Sequence, residues 1–363
     1  MMNIGVLGGG QLAYMICENI TKTIFNCIEN IYIFSDKKGV PCDLLKNIDK
    51  ITLIYGDYNL ENLLKFSEKC DIITYEFEAI DIDLLKNINK TGTQIYPDIK
   101  YLEIIQDKFN QKEFLKNNNL NVGPYSVINN TDDIYKFIEN YNYPIIIKAR
   151  CGSFDGRGNI VIKNEIELNE WIVDNKDLIE NYYMEAYINF DNELSICGCK
   201  NKGVINYYEP VKNIHKKSIL IKTEYNIDAI KANIKLKVKN LYEKLLDIFD
   251  TKGVICCEFF EYNNEIYINE IALRVHNTYH ITLDCCNISQ FELHLRSILN
   301  LEIPKLSFIK NGYMYNIISN LHTKEDILDK YEELKEKYAM KIKMYNKEAI
   351  GVRKIGHINL IEI

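Results

Sequence analysis

Apolar residues along the first hundred positions fall into short runs separated by helical stretches. Residues 3–7, 31–34, 51–54 and 71–75 are apolar enough for buried strands, and 12–20 and 60–68 carry apolar positions at helical spacing. Strands alternating with helices predict a parallel sheet of the doubly wound type, which binds ligands at the carboxyl ends of its strands. The pattern changes after Tyr96-Pro97. A helix over 107–116 follows, then a helix capped by Thr131 that runs to Glu139. The strand 145–148 leads into the glycine-rich loop 149–158 and leaves it as the strand 160–163. Strand, mobile loop and strand in that order describe a flap that closes over an anion, and Lys148 at the strand end favours phosphate. Farther on, Val238, Leu241, Leu245 and Ile248 make one apolar face of a helix that stops before Gly253. Ser289 and Glu292 form a capping box opening a helix to Leu299.

The densest chemistry lies in residues 254–280. Two strands flank the turn pair Asn263-Asn264, with Glu258 on the first and Glu270 on the second. A two-residue turn sets Glu270 opposite Cys257, on the wrong face. A three-residue loop, 263–265, or an equivalent bulge sets the two acids directly opposite, and this arrangement is the one expected. Carboxylates that close repel unless a cation lies between them, and Mg²⁺ brought by substrate phosphates suits them. The donor-rich run from Arg274 to His280 follows at once. Metal-binding acids beside anion-binding groups point to phosphoryl chemistry.

Composition bounds the alternatives. The chain has 363 residues, 47% of them hydrophobic and 26% charged, which predicts two or three globular domains. A net charge of −7 argues against a nucleic-acid binder that relies on bulk positive charge. No apolar run is long enough to span a bilayer, and the first residues enter a strand without a secretory pattern, so a cytoplasmic location is expected. The eleven cysteines form no CxxC pair, which predicts reduced, buried thiols rather than a zinc site or disulfide framework. Gly8, Gly10 and Ala13 also match G-x-G-x-x-A, with Asp36 at dinucleotide-fingerprint spacing. Read alone, that motif points to NAD and a dehydrogenase, but it leaves residues 148–280 without a role. The glycines otherwise let amides at a helix start approach an anion such as a ribose phosphate.

Several ordered motifs together resemble one family. They are the run Gly8-Gly9-Gly10-Gln11-Leu12, then Glu76-Phe77-Glu78, Gln106-Asp107-Lys108, the loop from Phe154 to Gly158, and Glu193-Leu194-Ser195. The most specific is Asn269-Glu270-Ile271-Ala272 leading to Arg274-Val275-His276-Asn277 and His280, with Ser289 to Glu292, His294-Leu295-Arg296 and Gly356 to Leu360 beyond it. The chain is similar over nearly its whole length to ATP-grasp enzymes of the N5-carboxyaminoimidazole ribonucleotide synthetase type. The resemblance implies an α/β ATP-grasp fold in three parts: a doubly wound domain over 1–98, an ATP-grasp domain over 99–300 with a lid at about 124–190, and a small domain over 301–363 packed on that core. It implies carboxylation of 5-aminoimidazole ribonucleotide with ATP, Mg²⁺ and bicarbonate, in a homodimer.

Site residues follow from the same resemblance. Lys108, Lys148 and the lid loop (Ser153, Phe154, Asp155, Gly156, Arg157, Gly158 and Asn159) are expected to hold phosphates. Glu185 is expected at adenine and Glu193 at ribose, with His215, Asn269 and Glu270 completing the nucleotide site. Glu258 and Glu270 hold the metal. Phe154, Asp155, Arg274, His276, Asn277 and Arg296 surround the ribonucleotide, and Lys347, Arg353 and Lys354 reach its phosphate. Lys148, Asp155 and Arg274 are the expected catalytic residues, Asp155 as acceptor of the amine proton. Some positions depart from the family pattern: Lys108 replaces an arginine, Ser153 and Phe154 replace glycine and tyrosine, Leu273 replaces proline, and Thr278-Tyr279 replaces Ser-Gly. Two alternatives stand beside this reading. One is a formate-dependent glycinamide ribonucleotide transformylase, where Asp is expected at Asn277 and no histidine at His280. The other is a nucleotide-binding protein that has lost catalysis.

Overall fold

The computed structural model describes residues 1–152, 158–216, 218–319 and 323–363. Five parallel strands open the chain: β1 (Met2–Leu7), β2 (Ile28–Ser35), β3 (Ile51–Tyr55), β4 (Ile72–Tyr75) and β5 (Gln94–Ile95), in the order β3-β2-β1-β4-β5. This is the doubly wound sheet the periodicity predicts. Its strand order reverses between β1 and β4, where such sheets form a crevice. The helix Gln11–Cys17 is shorter than expected and passes into a tighter turn at Glu18–Thr21.

Four antiparallel strands make the lid: β6 (Tyr125–Val127), β7 (Ile145–Ala149), β8 (Asn159–Ile162) and β9 (Tyr182–Ala186). Ile145, Ile147, Ile162 and Met184 pack on Ile134 and Phe137 from one lid helix and on Leu168 and Trp171 from another. The first of these helices is Thr131–Tyr141, and its cap is Asn130 rather than Thr131. The Asn130 side chain accepts from the Asp133 amide, and Thr131 is the first helical residue.

The third sheet is the largest: β10 (Asn192–Asn201), β11 (Val204–Tyr207), β12 (Val211–Lys216), β13 (Ile219–Tyr225), β14 (Ile255–Tyr262), β15 (Glu265–Ala272), β16 (Gly312–Ile318), β17 (Tyr338–Met344) and β18 (Lys354–Glu362). Its strands run β15-β14-β10-β12-β13-β16-β18-β17, with β11 paired to β10. Residues 312–362 therefore continue this sheet through the β13–β16 pairing. Alternation divides its two faces. Ile255, Cys257 and Phe259 pack with Val238, Tyr242 and Leu245 of the helix Ala232–Ile248. On the opposite face Cys256 joins a core with Phe291 and Leu295 of the helix Gln290–Ile298, and farther along the strand Glu258 and Phe260 line an open cavity. The cysteines of this core are buried and unbridged, whereas Cys151, at the edge of the lid loop, is exposed.

Candidate active site

The β14–β15 hairpin sets the position of the acids. Tyr262 pairs with Glu265, so the turn is the two-residue pair Asn263-Asn264, both with positive φ. The three-residue loop is not formed. Register changes between Glu258 and Phe259: Phe259 pairs with Ile268 and Glu258 with Glu270, which leaves Asn269 as an extra residue. This bulge puts Glu270 opposite Glu258, as the equivalent-bulge alternative requires, and both Asn269 and Glu270 line the cavity.

That cavity has a volume of about 1350 Å³ and draws on every sheet of the molecule. Lys148 and Asn159 come from the lid. Glu193, Glu258 and Glu270 come from the large sheet, and Lys347, Arg353 and Lys354 from the last segment. Arg274, His276 and Asn277 form the wall after β15. The doubly wound domain adds Glu76 and Glu78 just beyond β4.

The charges are arranged in pairs. Lys108 Nζ lies 3.4 Å from Glu270 Oε1. Burial opposes charge on Glu270, but Lys108 and then Lys148 outweigh it and keep its pKa below the ordinary value. Although Glu270 stays open to the cavity, Lys108 gains more from its carboxylate than it loses by burial, and its own pKa rises. Glu258 has the opposite balance. Burial first, then Glu193 and Glu270, push its pKa up to about 7 against the pull of His215 and Lys354. His276 Nδ1 is 3.7 Å from Glu258 Oε1 and 2.9 Å from the Thr278 hydroxyl. His215 Nδ1 lies 2.7 Å from Glu193 Oε2. Burial disfavours the His215 cation, yet Glu193 and Glu258 raise its pKa overall.

These residues fit a divalent cation. Glu258 and Glu270 offer hard oxygen donors, and the raised pKa of Glu258 marks a carboxylate short of positive partners. Among the described residues no group of three or more His, Cys, Asp or Glu is arranged for a metal, so the remaining oxygens would come from substrate phosphates and water. A proton test follows from Glu258. Its pKa in the folded chain lies above the ordinary carboxyl value, so its contribution to stability is complete below about pH 4.5 and is lost as pH rises through about 7. Glu258→Gln should therefore stabilise the ligand-free protein progressively over that window, by on the order of 1–3 kcal/mol above neutrality in denaturant titrations. Binding of Mg²⁺-nucleotide to the unaltered protein near pH 6.5 should release a proton that the variant does not release, read as a buffer-dependent binding enthalpy.

Two expected site residues are engaged elsewhere. Glu185 is buried, with Lys148 Nζ at 3.0 Å, Lys112 Nζ at 3.4 Å and the Tyr183 hydroxyl at 2.6 Å. Burial opposes its charge, but the two lysines win and hold its pKa down to about 2. Arg296, expected at the ribonucleotide, is the second. Arg296 lies outside the cavity lining; its guanidinium grips Glu292 and donates to the Glu302 carbonyl. Glu292 in turn accepts from Lys22, so this cluster ties the Gln290–Ile298 helix to the first domain. Ser153, Phe154, Asp155, Gly156 and Arg157 lie outside the described residues, whereas Gly158 is a turn residue and Asn159 begins the return strand of the lid.

Other residues position the site although their individual roles were not expected. Gln290 is fully buried; its side chain accepts from the His276 amide and donates to the His276 carbonyl and to His280 Nδ1. Asn277 and Asn316 exchange side-chain hydrogen bonds at 2.9 and 2.6 Å. Glu78 accepts from the Leu273 amide and lies 3.5 Å from Arg274 Nε. The glycine run meets an anion of the protein itself. Glu76 accepts from the amides of Gly10, Leu12 and Ala13 in the crevice between β1 and β4. A Cβ at Gly8 or Gly10 would lie within 3 Å of that side chain. The dinucleotide fingerprint thus holds a glutamate where a pyrophosphate would have to lie, which removes the NAD reading.

A parallel-sheet domain, an antiparallel lid and a mixed-charge cavity against a large sheet together define an ATP-grasp protein. Family models agree along the chain: the ribonucleotide synthetase preATP-grasp domain matches residues 1–106, the ATP-grasp domain 113–291, and the phosphoribosylaminoimidazole carboxylase C-terminal domain 312–362. The N5-carboxyaminoimidazole ribonucleotide synthase of Staphylococcus aureus is 31% identical over 99% of this chain and 92% of its own length. The phosphoribosylaminoimidazole carboxylase of Saccharomyces cerevisiae is 32% identical over 99% of this chain, which spans 63% of the yeast protein's length. The crystal structure of N5-carboxyaminoimidazole synthase from Aspergillus clavatus, in complex with ADP and 5-aminoimidazole ribonucleotide, superposes with a TM-score of 0.85 at 29% identity, covering 99% of this chain and 93% of that one. The chain belongs to the N5-carboxyaminoimidazole ribonucleotide synthase family.

Proposed function

We propose that this protein carboxylates 5-aminoimidazole ribonucleotide on its exocyclic amine, using ATP and bicarbonate, in purine synthesis. The reading rests above all on one cavity that joins the Glu258–Glu270 pair and Lys148 to Arg274, His276 and the basic segment at 347–354. An S. aureus relative crystallised with ADP and an Aspergillus relative crystallised with both ADP and the ribonucleotide support it from outside.

The proposed division of labour runs along the cavity. Lys108, Lys148, Gly158 and Asn159, with the lid residues 153–157, hold the ATP phosphates. Glu193 takes the ribose beside His215, and Asn269 and Glu270 complete the nucleotide site. Glu185 stands at the adenine end, with its carboxylate serving two lysines. Glu258 and Glu270 hold Mg²⁺, which offsets charge on the transferring phosphoryl group. Bicarbonate oxygen attacks the γ-phosphorus, the bond to ADP breaks, and carboxyphosphate forms. The ribonucleotide amine then attacks either the carboxyl carbon of carboxyphosphate, expelling phosphate, or the CO₂ that carboxyphosphate releases with loss of phosphate, and the amine proton passes to a base, for which Asp155 is the candidate. Arg274, His276 and Asn277 orient that ribonucleotide, and Lys347, Arg353 and Lys354 neutralise its phosphate. The closed lid keeps water from carboxyphosphate. The parts are 1–98, 99–300 with the lid at 124–190, and 301–363, in a cytoplasmic homodimer.

The test is ADP release from ATP, Mg²⁺ and bicarbonate, with and without 5-aminoimidazole ribonucleotide. Release that requires the ribonucleotide and stops on chelation of Mg²⁺ is expected. ADP binding without any turnover would instead favour a binding protein that has lost catalysis, and turnover with formate and glycinamide ribonucleotide would favour the transformylase.

A further inference from the structure

We infer that Lys112, a residue outside the main cavity, is a positioning residue whose buried charge frees Lys148 to hold the nucleotide phosphates. The inference rests on the nucleotide site proposed above. Lys112 lies one turn after Lys108 on the helix Lys108–Asn117, and its side chain is only 3% exposed. Its ammonium has two partners: the Ile268 carbonyl at 3.2 Å and Glu185 Oε1 at 3.4 Å. Lys148 approaches the other oxygen of the same carboxylate, Glu185 Oε2, at 3.0 Å. A single buried carboxylate thus stands between two lysines.

The charge count decides what this arrangement does. A Glu185–Lys148 pair alone would be neutral, and an incoming phosphate would have to compete with Glu185 for the Lys148 ammonium. Adding Lys112 leaves the trio with a net charge of +1, so Glu185 can stay satisfied while Lys148 offers its ammonium to the cavity it lines. Lys112 and Lys148 also face a small polar cavity of about 20 Å³ shared with Lys108 and Asn159, so the extra charge lies directly beneath the cluster proposed for phosphates. The Ile268 contact gives Lys112 a second role. Ile268 immediately precedes the bulge residue Asn269, so the lysine also braces the strand that presents Asn269 and Glu270. Burial presses Lys112 toward its neutral form, and its pKa falls, with Glu185 as the main opposing influence. The lysine is therefore held at a cost that surface solvation would remove.

Lys112→Gln removes the charge and leaves an amide donor on a side chain one atom shorter. ADP titration by calorimetry should show affinity lowered by about tenfold or more, and the KM for ATP raised in step, while kcat at saturation changes less than about threefold. Lys112→Arg, which keeps the charge, should restore most of the affinity. Melting without nucleotide is measured for each variant. If Lys112→Gln does not fold, Lys112→Met is read in the same titration, since it keeps the apolar stem. Unchanged ADP affinity in a folded neutral variant overturns the inference, and so does an affinity loss equal in the Arg and Gln variants, because either result leaves Lys112 a purely structural residue. Failure of the unaltered protein to bind ADP would overturn the proposed function instead.

Discussion

Replacing Glu270 with glutamine is expected to lower ribonucleotide-dependent ADP formation by at least a hundredfold and up to about a thousandfold, with the fold intact. Glutamine is isosteric and still faces Glu258 across the hairpin, so the loss isolates charge from shape. Two effects combine. The proposed metal site keeps one carboxylate, Glu258, the one whose pKa burial already raises. Lys108 also loses the charged partner at 3.4 Å, which loosens an ammonium proposed to bind phosphate. Initial rates against Mg²⁺ concentration check the prediction: the variant should need far more Mg²⁺ and still not reach the normal maximum. Near-normal turnover would remove Glu270 from the metal site.

Arg274→Met should have the second largest effect, and it should divide the two halves of the reaction. ADP affinity is expected to stay within about threefold, while kcat/KM for the ribonucleotide falls by about a hundredfold or more. The guanidinium lies 3.5 Å from Glu78, whose carboxyl also anchors the Leu273 amide, so a first-domain residue holds both the arginine and the backbone beside it. Burial raises the pKa of Glu78 and Arg274 is the largest influence pulling it down. Without the arginine that pKa rises further. A carboxyl whose folded pKa exceeds its ordinary value contributes stability at low pH and loses it as pH rises through the folded value. The stability of the variant should accordingly fall more than that of the unaltered protein as pH rises above the ordinary carboxyl range. Parallel pH profiles of the two would show no divergence if Glu78 and Arg274 do not interact.

The fold was legible in the sequence wherever periodicity follows burial. The β1–β4 alternation and the hairpin after Gly253 are local patterns, and the acids at Glu258 and Glu270 stand out because a buried pleat rarely carries two carboxylates face to face. What was not legible depends on partners distant in sequence. Asn263-Asn264 fits a two-residue turn, yet nothing local to the turn shows that Asn269 bulges to restore the register. Arg296 lies in a family motif, but its direction is set by Glu292 one turn earlier and by a carbonyl at Glu302. Asn130 and Thr131 are both good caps, and the choice turns on which residue leaves helical geometry first. Lys112 gives no sequence signal of its own, since a lysine on a helix is ordinarily solvated. Only the approach of β9 and β15 buries it. Glu76 is in the same position: its motif was visible, but its role as the anion at Gly10 to Ala13 requires the crevice between β1 and β4.

The strand order of the large sheet has a consequence for how the protein is made. β18 comes after both β16 and β17 in the chain, yet it lies between them and pairs with both. During synthesis β17 emerges with no partner beside it, and β16 shows a bare edge until β18 arrives. Lys354, which opens β18, reaches the cavity at that same moment. A nascent chain can therefore fold its first domain and lid early, but it cannot complete the cavity until β18 has left the ribosome. Molecules interrupted before then would carry an unfinished cavity beside an open sheet edge, a state prone to pairing with its neighbours.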